Sequence, residues 1–145
     1  MNEYLKLKKK HQEEVNNFPI KFSFSNKQFD EGMGELGLDP ETDRDKVVAG
    51  FAGAFYKKTD APRLRDMLNR HAKERKEAIA GDLTGEGYIY NMFDYELANH
   101  EYCVTMDETD ALEALGITHE EIQKNEALSN GFIEARRNQW DSGNY

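Results

Sequence analysis

"YIYNMFDYELANHEY", residues 88–102, decides how this chain folds. On a helical wheel Ile89, Phe93, Leu97 and His100 make one stripe, with Met92 and Glu96 adjoining it. That is the apolar period of a helix packed into a core. Tyr88, Tyr95 and Tyr102 make a second stripe at seven-residue spacing, beside Asp94 and Glu101 on one helical face. An aromatic seam with a charged rim is what partner surfaces use, and more often it is the margin of a core. Whether Tyr88, Tyr95, Asp94 and Glu101 face solvent separates the two readings.

Working outward, "GDLTGEG" (81–87) is a turn, and upstream of it Asp60 can cap a helix from Ala61 to about Ile79 through Leu64, Leu68 and Ala72, with a basic outer face. "KVVAGFAGAFYKK" (46–58) reads as a strand, with Gly50 and Gly53 as candidate bulges. Near the start, "EYLKLKKKHQEEVN" (3–16) puts Tyr4, Leu7, His11 and Val15 on one helical stripe. "FPIKFSFS" (18–25) alternates Ile20, Phe22 and Phe24 with Lys21 and Ser23, the pattern of a half-buried strand. Ser25 and Gln28 form a capping-box pattern before a short helix ending at Gly37, and "LDPETDRD" (38–45) is an acidic loop. Downstream, "YCVT" (102–105) reads as a short third strand. Asp107 caps a helix ending at Gly116, and Thr118 with Glu121 opens a last helix through Ile122, Leu128, Phe132 and Ile133. The expected class is α+β: one small domain over 1–138 with about three short, mostly antiparallel strands covered by four to six helices, and a weakly ordered tail at 139–145.

The composition narrows the chemistry. The 145 residues carry a net charge of −9, spread unevenly: residues 57–77 carry +4 and residues 82–126 carry −11. Such segregation favours oppositely charged partners and weighs against nucleic acid as the direct ligand, which needs a dominant basic face. Cys103 is the single cysteine, so no disulfide forms within the chain and no cysteine-based zinc site exists. The lysine-rich first fifteen residues never reach an apolar run, so neither a secretory signal nor a membrane span is expected, and a cytoplasmic location fits.

Motif by motif, the spacing argues against resident cofactors. "DLTGEGYIYNMF" (82–93) starts like a calcium loop with Asp82, Thr84 and Glu86, but its twelfth position is Phe93 where a bidentate glutamate is needed. The glycines of 46–58 lack the spacing of a phosphate loop. His11, His71, His100 and His119 form no metal pair in sequence. A His100–Cys103 dyad lacks a nucleophile motif around the cysteine.

The stretches "HQEEVNNFPIKFSFSNKQFDEGMGELGL", "FYKKTDAPRLRDMLNRHAKE" and "GEGYIYNMFDYELANHEYCVTMDETDALEALGI" resemble an uncharacterised family of small acidic proteins from Firmicutes and their phages and mobile elements. The resemblance supplies no catalytic residue. It implies a factor acting on host proteins, in the manner of the inhibitors phages make against CRISPR and restriction nucleases. The resulting expectation is a non-enzymatic inhibitor of a basic, nucleic-acid-handling host protein, with no cofactor and no metal. Its partner-binding residues are Tyr88, Asp94, Tyr95, Glu96, Glu101, Asp107, Glu108, Asp110 and Glu113. Two alternatives stay open: a small-ligand binder or enzyme with a pocket at His71, His100 and nearby carboxylates, and direct nucleic-acid binding through the basic 61–77 helix. A homodimer is also left open.

Overall fold

The computed structural model describes residues 2–143. The elements run α1 (Glu3–Asn17), β1 (Lys21–Phe22), α2 (Asn26–Glu35), β2 (Val47–Ala49), β3 (Ala54–Lys57), α3 (Ala61–Gly81), α4 (Tyr88–Asn99), α5 (Tyr102–Thr105), α6 (Thr109–Leu115), α7 (His119–Lys124) and α8 (Glu126–Gly143). The protein is α+β, with eight helices among the described residues and a three-stranded antiparallel sheet in the order β1-β3-β2.

Local chemistry explains where helices start and stop. Ser25 accepts from Gln28 N–H at the start of α2, and Gln28 Oε1 reaches back to Phe24 N–H at 2.7 Å. Thr118 accepts from Glu121 N–H, the cap that the sequence pattern called for, while its hydroxyl rather than its N–H donates to the Glu121 carboxylate. Gly116 closes α6 at φ 66°.

Several elements differ from the expectation. The 46–58 segment is not one bulged strand but a hairpin. β2 and β3 pair antiparallel with Val48 opposite Tyr56, and the chain reverses at Ala52 and Gly53, both at positive φ. "FPIKFSFS" yields only the two-residue β1, and its expected core residues point outward: Phe22 is 56% exposed and Phe24 79%. "YCVT" is a helical turn, α5, bracketed by Glu101 and Met106 in the left-handed region. The expected last helix is two helices, because Asn125 is extended and its side chain accepts from Leu128 N–H to cap α8 afresh. Residues 139–143, expected in a weakly ordered tail, continue α8; Asn144 and Tyr145 lie outside the described residues. These splits raise the helix count above the expected four to six.

Two compact units result, one of Met1–Lys9 with Glu74–Tyr145 and one of Lys10–Lys73. The second has a small core of Met33, Leu36 and Phe55, flanked by Phe29, Leu38 and Val47. The first is built on α4, with Ile89, Phe93 and Leu97 fully enclosed as their stripe requires. Phe93 meets Phe132 of α8 edge to face, with ring centroids 5.1 Å apart. Gly131 of α8 lies so close to α4 that a β-carbon there would stand 2.5 Å from Ile89 Cγ2 and 2.7 Å from Gly85 O.

Gly131→Ala should therefore force α4 and α8 apart and lower stability by about 1–3 kcal/mol, measured as a shift of the urea midpoint; an unchanged midpoint contradicts the close approach.

Candidate functional site

The structure sorts the nine expected partner-binding residues into buried and exposed groups. Glu96 is only 4% exposed, and Tyr88 is buried beside it on α4. Glu96 Oε1 accepts from the Tyr4 hydroxyl at 2.6 Å and from Lys8 Nζ at 3.3 Å, so two residues of α1 satisfy a carboxylate that would otherwise be costly to bury. Lys8 Nζ also stands 5.4 Å from the Tyr95 ring centroid and 5.9 Å from that of Tyr4. Tyr4 meets Tyr88 edge to face at 5.6 Å. On the remaining side, His100 Nε2 lies 3.7 Å from Glu96 Oε2, beyond hydrogen-bond reach, and is a buried nitrogen with no hydrogen-bond partner. Burial, then the hydrogen bond to Glu96, pushes the Tyr4 phenol far above its ordinary range, and burial pushes Tyr88 up as well. Tyr88 and Glu96 are thus internal groups, Tyr95 is half-buried against Tyr4 at 5.8 Å and Tyr102 is buried, so the three tyrosines of the second stripe do not form an exposed aromatic seam.

Asp94 and Glu108 are half-buried and engaged. Asp94 Oδ1 accepts from Asn138 Nδ2 at 2.8 Å and Gln139 Nε2 at 2.9 Å, which ties α4 to α8. Glu108 Oε1 stands 3.6 Å from His119 Nε2 and 3.9 Å from Arg136. Glu101, Asp107, Asp110 and Glu113 are exposed, and among the described residues Glu101, Asp110 and Glu113 make no ion pair. Asp107 accepts from Thr109 N–H at 2.9 Å, and its bonds from the Thr109 side chain and backbone hold the carboxyl below its usual range.

The failed calcium loop has a structural role. Asp82 accepts from the N–H groups of Gly85 (3.0 Å), Gly87 (3.1 Å) and Ile89 (3.0 Å), which fixes the 82–87 loop and the start of α4. Burial pushes its carboxyl up, but the N–H bonds outweigh that and leave it below its usual range. With its oxygens committed this way, Asp82 is an acceptor for the backbone, and among the described residues no three His, Cys, Asp or Glu side chains gather to hold a metal. Beside this loop is an open groove of about 590 Å³, walled by Glu86, Tyr90, Ile133, Glu134, Arg137 and Asp141. No local pattern marks it, because its two walls come from stretches over forty residues apart.

Within the second unit, His11 and His71 stack with ring centroids 3.8 Å apart and planes 17° from parallel. His71 Nε2 lies 3.2 Å from Glu14 Oε2, and Arg70 pairs with the same carboxylate. The Arg70 guanidinium, with His71 assisting, holds Glu14 down at about 2. His11 comes from the helical stripe of α1 read in the sequence, and His71 from the buried side of α3 that also carries Leu64. The expected ligand pocket of His71 and His100 divides between the two units: His71 belongs to the second and His100 to the first. Cys103 sits on α5, not in a strand, with Gly143 packed against its β-carbon.

Fold and site define a small α+β protein in which some carboxylates serve as internal acceptors and others stand on the surface. The chain belongs to a family of unknown function, DUF7659, whose model matches residues 3–138. No curated protein and no solved structure matches it.

Tyr4→Phe should cost about 1–2 kcal/mol by removing a donor to buried Glu96. A phenol raised in the folded state contributes stability in full below the ordinary tyrosine value near 10 and loses it as pH rises beyond that. The wild type should therefore weaken above about pH 10, and Tyr4→Phe should weaken less steeply, Tyr88 and Tyr90 accounting for the rest. Urea titrations at neutral and alkaline pH would read both effects; parallel pH curves for the two proteins would rule out the Tyr4 contribution.

Proposed function

We propose that the protein is a non-enzymatic inhibitor that binds a basic, nucleic-acid-handling protein and places carboxylates where phosphates would otherwise lie. The observation that carries the reading is the state of the 101–113 segment. Glu101, Asp107, Asp110 and Glu113 are exposed there, and Glu101, Asp110 and Glu113 have no ion pair among the described residues. Other acidic side chains of the first unit hold the fold, as Asp82, Asp94 and Glu96 do. Duplex DNA presents about one charge per 1.7 Å of axis, and a cationic groove releases condensed ions when such an array docks. Asp110 and Glu113, one helical turn apart on α6, are placed to act together on such a groove. The resemblance to small acidic proteins of Firmicutes, their phages and mobile elements supports a narrower form: the partner is a host CRISPR or restriction nuclease.

The test is charge reversal of exposed groups that the fold does not use: Glu101→Lys, Asp110→Lys and Glu113→Lys together. Affinity for a restriction or CRISPR nuclease should fall about tenfold or more, and the dependence of binding on salt should flatten. Nuclease activity should return in parallel. Unchanged, salt-insensitive binding would sink the reading. A gel shift of duplex DNA by the protein itself at low salt would instead move the function to the basic residues of α3.

A further inference from the structure

The groove beside the 82–87 loop is held open by the backbone. Gly85, at φ +85°, approaches α8 so closely that a β-carbon would stand 2.0 Å from Ala127 O, and Asn130 Nδ2 reaches Thr84 O at 3.4 Å. Asp82 fixes the same loop through three N–H groups. A wall fixed in this way loses little freedom when a ligand enters. Its electrostatics are one-sided. Glu86, Glu134 and Asp141 line it against a single cation, Arg137, which already lies 3.0 Å from Glu134 Oε1. Among the described residues Glu86 and Asp141 have no ion pair. Tyr90 and Ile133 add an aromatic and an aliphatic surface, and Ile133 remains exposed. Burial, then the charges of Asp94 and Glu134, pushes the Tyr90 phenol up, as expected where the local field is negative.

We infer that this groove receives an arginine side chain from a basic segment of the partner, with the guanidinium between the Glu86 and Asp141 carboxylates and its plane against Tyr90. A guanidinium is weakly hydrated, planar and able to bridge carboxylates while stacking on an aromatic ring; a lysine ammonium is a strongly hydrated point charge that gains less from such a place. The inference rests on the reading that the partner is basic. It names a different surface from the 101–113 segment, so the two can fail separately.

Fluorescence anisotropy of a short labelled oligo-arginine peptide, with oligo-lysine beside it, tests this on the full chain. Three variants are compared with the wild type: Glu86→Gln with Asp141→Asn in the groove, Asp30→Asn with Glu41→Gln as an equal loss of charge at exposed acids of the second unit, and Ile133→Arg, which fills the groove from its own rim. Oligo-arginine should bind more tightly than oligo-lysine. The groove pair and Ile133→Arg should each weaken it about tenfold, and the control pair should weaken it less than about twofold. Equal losses from the two charge-matched pairs would reduce the binding to general attraction and overturn the inference, as would no binding by the wild type. Loss confined to the control pair would overturn it; the 101–113 reading is decided apart from it, by the nuclease affinity of the Glu101→Lys, Asp110→Lys, Glu113→Lys variant. The groove pair alone decides the matter if Ile133→Arg fails to fold by circular dichroism.

Discussion

The first unit depends on the close approach of α4 and α8 at Gly131. With no β-carbon there, Ile89 packs directly against the α8 backbone, and Phe93 can meet Phe132 edge to face. Asp94 then reaches Asn138 and Gln139 on the same helix, so a polar clamp secures what apolar packing began. The approach also sets the 82–87 loop, because Gly85 O lies against the same glycine. The loop's shape, in turn, lets one carboxylate, Asp82, collect three N–H groups that would otherwise be unsatisfied before α4.

With α4 enclosed on most sides, Glu96 has nowhere exposed to go, and it stays buried because Tyr4 and Lys8 meet it there. An ionised carboxylate without such partners would be strongly disfavoured in this core. Tyr88 and half-buried Tyr95 of the seam read from sequence therefore pack on Tyr4, which, with Lys8 reaching in from the surface, satisfies one buried acid. The left-handed Glu101 ends α4 and begins α5 on different axes. A non-glycine residue in that region costs of order 1 kcal/mol, which the buried Tyr102 next to it helps to offset.

Local signals were legible in the sequence where one residue decides the outcome. Ser25, Thr118 and Gly116 cap helices as their positions imply, and the Ile89, Phe93 and Leu97 stripe is core. The pattern failed where tertiary context outweighed it. Phe22 and Phe24 alternate as a buried strand would, but of that stretch only Lys21 and Phe22 pair with β3, and the two rings remain at the surface. The β-forming residues of 46–58 were recognised as strand, while the reversal was missed because Ala52 carries a positive φ that alanine seldom adopts. "YCVT" has strand composition and folds as one helical turn, since Glu101 and Met106 close it off on either side. For the site, composition alone could not separate acids that build the fold from acids that face water. Glu96 and Asp110 look alike in sequence, and only the placement of Tyr4, ninety-two residues away, distinguishes them.

That division bears on what the acidity does. Asp82, Asp94 and Glu96 are tied to donors that the fold supplies, so replacing any of them disturbs the structure as well as the charge. Glu101, Asp110 and Glu113, like Glu86 and Asp141 in the groove, have no cation of their own among the described residues. Like charges held together on a folded surface repel, and the repulsion weakens the compact state. A cationic partner relieves it, so association and folding stability should be coupled through the same few carboxylates. The acids inside α4 can then be exchanged only at the expense of the fold, whereas those on the 101–113 segment and in the groove can be altered with the fold intact. That separation is what makes the function of the acidic surface open to direct substitution.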